Sequence, residues 1–256
     1  MSNQAFNPEE YRMPLMAHLK ELRYRLIVSI AAGIIGCVLC FAYVEPIWEF
    51  LVAPMNDALM ATQRGDLVIT DPLEGFMTEL KVAAVAGVGL ASPIIFFQIW
   101  QFIAPGLYPE EQRFITPLAF FSTLLFLAGI TFGYSVIFRF AFPFFLEVTP
   151  EGVDAMLSIN RYLALATRLL VAFGICFQLP IVAFALARVG LIDHKDMIGG
   201  FRYSVVGIFI VSAIITPPDV ISQVLMATPL IFLYGIGIII AWLFTTKKRE
   251  DVHAES

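Results

Sequence analysis

Apolar residues run along this chain in six blocks, at 26–43, 82–103, 114–138, 169–187, 203–216 and 220–244, separated by shorter polar stretches. Four or five blocks reach the ~20 residues that a helix needs to cross a ~30 Å hydrocarbon core. The period-two alternation of a lipid-facing strand is absent. No water reaches the backbone in hydrocarbon, so each block is predicted to be helical. The pattern thus predicts an all-α integral membrane protein of six transmembrane helices in one domain. Residues 1–17, with Pro8 and Pro14, and the charged stretch 246–256 read as polar tails.

Two blocks depart from the standard span. Asp71-Pro72-x-Glu74 is a strong helix start: Asp at the N-cap, Pro at the first helical position, Glu to close a capping box. A helix from Pro72 to Ile103 holds 32 residues and is about 48 Å long, so it must tilt or project. Pro93 is expected to kink it. The block 203–216 has the opposite mismatch, covering only about 21 Å before Thr216-Pro217-Pro218-Asp219 turns the chain. The stretch 44–80, with Pro46, Pro54 and aromatic residues, is expected to form short interfacial helices.

Composition and charge narrow the class. The chain has 256 residues, 59% hydrophobic and 14% charged, with a mean hydropathy of +0.82. That leaves no room for a soluble domain. A net charge of −5 argues against a nucleic-acid partner. Of the 16 Lys and Arg residues, 11 flank one side: Arg12, Lys20, Arg23, Arg25, Arg113, Arg188, Lys195, Arg202, Lys247, Lys248 and Arg249. By the positive-inside rule that side is cytoplasmic and holds both termini. The first block is too long for a signal-peptide core and no small-x-small site follows, so it is read as a retained span. Cys37-x-x-Cys40 lies inside an apolar block and is read as packing.

Chemistry is sparse. His18, His194 and His253 fall at cytoplasmic ends or in the tail, so no histidine can meet a serine inside the bilayer, and no metal motif or cofactor site is expected. A proton-coupled small-solute transporter is the alternative reading, against which no inverted repeat or paired midplane charge is visible. The Pro- and Gly-rich loop Phe102-Ile-Ala-Pro-Gly-Leu-Tyr-Pro-Glu-Glu-Gln-Arg113 places Glu110 and Glu111 at a membrane surface with one arginine nearby, as a receptor for a cationic peptide requires. Glu21 is either part of such a site or a solvated carboxylate paired with Arg25 at i,i+4. Gln178 is either a helix–helix hydrogen bond or a polar spot in a wet concavity. Asp219 reads first as a helix cap. Gln223 and Thr228 either pack internally or face a partner helix. Gly129-x-x-x-Gly133 permits close helix approach within the chain.

Four segments in this order, His18-Leu-Lys-Glu-Leu-Arg-Tyr-Arg-Leu26, Phe102-Ile-Ala-Pro-Gly-Leu-Tyr108 with Glu111, Ala172-Phe-Gly-Ile-Cys-Phe-Gln-Leu-Pro180, and Thr216-Pro-Pro-Asp219 with Gln223, resemble the TatC subunit of the twin-arginine protein translocase nearly end to end. The resemblance implies a cupped, glove-like six-helix receptor in the bacterial inner membrane and no catalysis. It implies binding of the paired arginines in signal peptides of folded cargo, and work with the single-span subunits TatA and TatB, in an oligomeric TatBC complex, driven by the proton-motive force. Glu21 and Glu111 then match carboxylates that contact the arginine motif, with Phe102, Leu107 and Arg23 beside them. Gln223, with Thr216 and Asp219 nearby, matches a surface where a TatB or TatA helix docks. Carboxylates suit the task, since guanidinium is a planar fork that a carboxylate accepts at two points and ammonium is not. Glu110 is the expected bystander. One position departs: Gln178 stands where many members carry a glutamate, so no titrating carboxylate there can carry protons in this chain.

Overall fold

A computed structural model of the chain describes residues 15–62, 65–106, 112–148, 156–216 and 220–254. Leu107, Glu110, Glu111 and Asp219 lie outside these residues. The elements are α1 (Leu15–Ala42), α2 (Val44–Thr62), β1 (Asp66–Val68), α3 (Glu74–Ile103), α4 (Ile115–Phe132), a π turn (Gly133–Ile137), α5 (Phe138–Glu147), β2 (Met156–Ser158), α6 (Ile159–Cys176), α7 (Leu179–Val189), α8 (His194–Gly199), α9 (Phe201–Ile215) and α10 (Val220–Ala254). Among the described residues five helical stretches are long and apolar enough to cross a membrane: Met16–Ala42, Glu74–Ile103, Gln112–Glu147, Ile159–Val189 and Val220–Leu243. Phe201–Ile215 is apolar but shorter.

The helices outrun the apolar blocks, because a helix does not stop where hydrophobicity stops. α1 begins at Leu15, so the polar run His18–Arg25 is helical and extends the first span. The block 114–138 is the larger, first part of a continuous stretch, Gln112–Glu147, that passes through the π turn. The block 169–187 is two helices, because Pro180 has no N–H to continue the ladder of α6. α10 continues to Ala254, so the stretch expected as a charged tail is helical up to that residue.

The loop 44–80 differs most from expectation. Residues 44–62 form one helix that runs straight through Pro54. Proline leaves the carbonyl four residues earlier without a donor; here that is Phe50, and the Tyr134 hydroxyl from the π turn donates to it at 2.8 Å while the two rings stack. Tyr162 of α6 donates to the neighbouring Leu51 carbonyl at 2.6 Å. Pro93 is handled in the same way: the Ser92 hydroxyl donates to the Gly89 carbonyl at 2.7 Å, and α3 stays helical throughout.

β1 and β2 form a short parallel ladder that the sequence pattern did not foretell, pairing Asp66 with Met156 and Val68 with Ser158. Glu74 holds it. This buried carboxylate accepts from Thr70 N–H and hydroxyl (2.6 and 2.7 Å), Asp71 N–H (3.2 Å), Asn160 N–H (2.8 Å) and the Ser158 hydroxyl. The expected reciprocal cap is present in part: Asp71 Oδ1 accepts from Leu73 N–H at 2.8 Å, and the helix starts at Glu74 instead of Pro72.

The core lies where α2, α5 and α6 meet, around Phe138, Phe142, Leu163 and Phe173, all fully buried. α1 stands outside it. Ile27, Ile30, Ile34, Ile35 and Val38 are exposed for lipid, and α1 rests almost wholly on α3. That contact is backbone on backbone: a Cβ added at Gly36 would sit 2.4 Å from the Gly87 carbonyl oxygen. Gly129 is equally close to the Phe173 carbonyl, at 2.6 Å, so the Gly129/Gly133 pair joins α4 to α6 within the chain, as expected. α7 ends at Gly190 in the left-handed region (φ +76°), where residues with a side chain are disfavoured.

Candidate functional site

The first turns of α1 and the last turns of α3 come together because the Gly36–Gly87 contact clamps the two helices side by side. His18, Glu21 and Arg25, at spacings of three and four, share the face of α1 turned to α3. On α3 the opposing positions are Gln98, Gln101 and Phe102. The His18 and Phe102 rings stack at 4.4 Å with planes 18° apart, which closes the end of the helix pair.

At the centre of the site is a guanidinium. Arg25 donates from Nε and Nη2 to the same oxygen of Glu21, Oε1, at 2.9 and 2.6 Å. Nη1 reaches Gln98 Oε1 at 3.1 Å, and Nη2 also reaches Gln101 Oε1 at 3.2 Å. Both charged side chains are about four-fifths buried, 18% and 19% exposed. This is more than the exposed i,i+4 pair the sequence offered, which contributes about 0.3–0.5 kcal/mol. The other carboxylate oxygen, Glu21 Oε2, is buried and accepts no hydrogen bond. A buried acceptor without a donor costs about 1–3 kcal/mol, so this atom is a ready acceptor for a cation that can reach it.

The structure brings Glu21 and Phe102 to one place. It does not bring Arg23 there: two positions along a helix is a turn of about 200°, and Arg23 is exposed on the far side of α1. Leu107 and Glu111 lie outside the described residues. Their loop is framed by Ala104–Gly106 on one side and Gln112–Phe114 on the other. Beyond it the guanidinium groups of Arg113 and Arg188 each lie about 5 Å from the ring centre of Phe114 (5.0 and 4.9 Å).

Of the partner-surface candidates, Gln223 donates to the Phe209 carbonyl at 3.0 Å and fastens α10 to α9. Thr216 caps α9 with its hydroxyl on the Ser212 carbonyl at 2.7 Å. Thr228 bonds back to Val224 at 2.8 Å and stays exposed beside an apolar groove of about 450 Å³ between the start of α10 and the π turn, lined by Phe132, Val136, Phe140 and Val224. Gln178 makes the helix–helix bond: Nε2 donates to the Ser122 carbonyl at 3.1 Å and to Gly174 at 3.3 Å, across the break between α6 and α7. The Ser122 hydroxyl in turn accepts from Trp100 Nε1 at 2.8 Å, so a small polar node links α3, α4 and α7.

Sequence reasoning missed Gln98 and Gln101. Their signal was available: two amides three residues apart at the end of an apolar span share a helix face, and such a face needs a donor.

The family described as Sec-independent protein translocase protein (TatC) matches residues 17–229. A Sec-independent protein translocase protein TatC from Desulforapulum autotrophicum is 40% identical over 243 residues, covering 95% of this chain and 89% of the relative. A protein of the same name from Helicobacter pylori is 41% identical over 237 residues, covering 93% and 90%. A crystal structure of the twin arginine translocase receptor TatC superposes with a TM-score of 0.79 at 38% identity, over 89% of this chain and 99% of that one. With the match running through nearly all of the membrane-embedded chain, this protein belongs to the TatC family of Sec-independent protein translocases.

Proposed function

We propose that this chain is the signal-peptide receptor and scaffold of a twin-arginine translocase, and that it reads paired arginines with Glu21 and Glu111 at the cytoplasmic ends of α1 and α3. The observation that carries the reading is the acceptor set of Glu21, Gln98 and Gln101, which already holds a guanidinium, that of Arg25. The Glu21 carboxylate in that set is chemically fit for the arginine of a peptide. Family membership makes the chain a component of a protein-export machine, which favours this reading over a small-solute transporter. Phe102 and Leu107 supply apolar contact beside the carboxylates.

In this reading the six apolar helices cross a bacterial inner membrane with both termini in the cytoplasm, in keeping with the Lys and Arg bias. The single-span subunits TatA and TatB dock along α9 and α10, the groove beside Thr228 between the start of α10 and the π turn offers further apolar surface, and the proton-motive force drives transport. Gln223 contributes there by holding α9 and α10 together.

A hydrogen bond to a charged group contributes about 1.5–3 kcal/mol, so two carboxylates could supply a large part of a micromolar affinity, about −8 kcal/mol. The test is titration of an Arg-Arg signal peptide into the receptor in lipid nanodiscs. Glu21→Gln and Glu111→Gln should each weaken binding about tenfold or more. Wild-type affinity in both variants would overturn the reading.

A further inference from the structure

We propose that Arg25 is a resident counter-ligand of Glu21, a guanidinium supplied by the receptor itself that a signal peptide's arginine must displace; this rests on the reading of Glu21 given above. Glu21 Oε1 takes two N–H groups from Arg25, and Oε2 is shut off from solvent with no partner. No outside guanidinium can therefore grip both oxygens as a fork until Arg25 gives way. Arg25 has somewhere to remain, because Gln98 and Gln101 hold it from α3 at 3.1 and 3.2 Å. The swap thus gives up only the bonds to Glu21.

An exchange of this kind is selective in a way that an open carboxylate is not. An incoming arginine replaces what Arg25 surrenders, fork for fork. An incoming lysine is a compact charge that cannot reproduce two bonds in one plane, so for it the exchange runs uphill. Arg25 thereby raises the threshold for every ligand and raises it most for ammonium. Lys20 and Arg23, the other cations nearby on α1, are exposed and make no ion pair with a described carboxylate, so they do not duplicate this role.

The experiment measures affinities of an Arg-Arg signal peptide and its Lys-Lys twin for the full-length receptor in nanodiscs, as wild type, Arg25→Gln, Arg25→Lys and Glu21→Gln. Arg25→Gln should bind the Lys-Lys peptide about tenfold more tightly than wild type, with a smaller gain for Arg-Arg, so that discrimination falls. Arg25→Lys, a weaker occupant that keeps the charge, should fall between, and it decides the matter if Arg25→Gln is not recovered folded. An unchanged ratio, or equal weakening of both peptides, would make Arg25 a strut between α1 and α3 and overturn the proposal. Undiminished Arg-Arg binding by Glu21→Gln would instead bring down the underlying reading of Glu21.

Discussion

Gly87→Ala should disable the proposed arginine-binding site from a distance. The added Cβ would lie 2.3 Å from the backbone nitrogen of Cys37 and 2.6 Å from its Cα and from the carbonyl carbon of Gly36. Carbon contacts are comfortable only near 3.5 Å, and no side-chain rotation can clear a backbone, so α1 must move off α3 by about 1 Å. Overpacking of this kind costs about 1–3 kcal/mol. Membrane helices have no hydrophobic force to pull them back together, and α1 has little besides α3 to rest on. Gln98 lies three turns further along α3, about 16 Å from Gly87. There the bonds from Arg25 to Gln98 and Gln101 are already 3.1 and 3.2 Å, so an added ångström breaks them. Thermal unfolding in detergent should show the lost stability, and Arg-Arg peptide binding should weaken about tenfold although every site residue is intact. Gly33→Ala and Gly89→Ala, where a Cβ meets nothing within 4 Å, are the controls and should be neutral or slightly stabilising. Gly87→Ala behaving like Gly89→Ala would refute the close-contact reasoning.

Three further outcomes follow from other contacts. Tyr134→Phe keeps the stack on Phe50 but removes the donor for the carbonyl that Pro54 orphans, so stability should drop by about 0.5–1.5 kcal/mol in a Tyr134→Phe chain; in a Pro54→Ala background, where a backbone N–H returns, the same change should cost well under half as much, and equal costs would show that the orphaned carbonyl is not the cause. Glu74→Gln replaces one acceptor oxygen by an NH₂ that faces donors, and amide exchange at 66–68 and 156–158 should accelerate at least tenfold; unchanged protection would mean that the strand pair holds itself. Glu111→Gln should weaken signal-peptide binding more than Glu110→Gln, and equal losses in a titration would reverse that ranking.

The legible part of this molecule was the part written in short range. Apolar blocks located the helices because hydrocarbon permits little else, and the Asp71–Glu74 start was readable because a cap spans one turn. Helix ends were misplaced wherever polar residues continued a helix past the apolar block, as at His18–Arg25. The break at Gln178 was hidden because the apolar run continues through it. What the pattern could not supply were partners more than 70 residues apart. Pro54 looked like a helix breaker because its remedy, Tyr134, lies 80 residues on. Glu74 looked like a capping residue alone because Ser158 and Asn160, which it also holds, come from β2 and α6. For Glu21 the sequence left two readings open: the pairing with Arg25 is present in the structure, through one carboxylate oxygen, and the other oxygen accepts no hydrogen bond.

The central claim is that the cytoplasmic ends of α1 and α3, with the loop between α3 and α4, read guanidinium groups. The most direct measurement places a photoreactive residue at position 107 or 111 and crosslinks it, in membranes, to a signal peptide carrying Arg-Arg or to the Lys-Lys variant. The account predicts a crosslink to the Arg-Arg peptide that is lost on lysine substitution. Equal labelling by both peptides, or by neither, would contradict it.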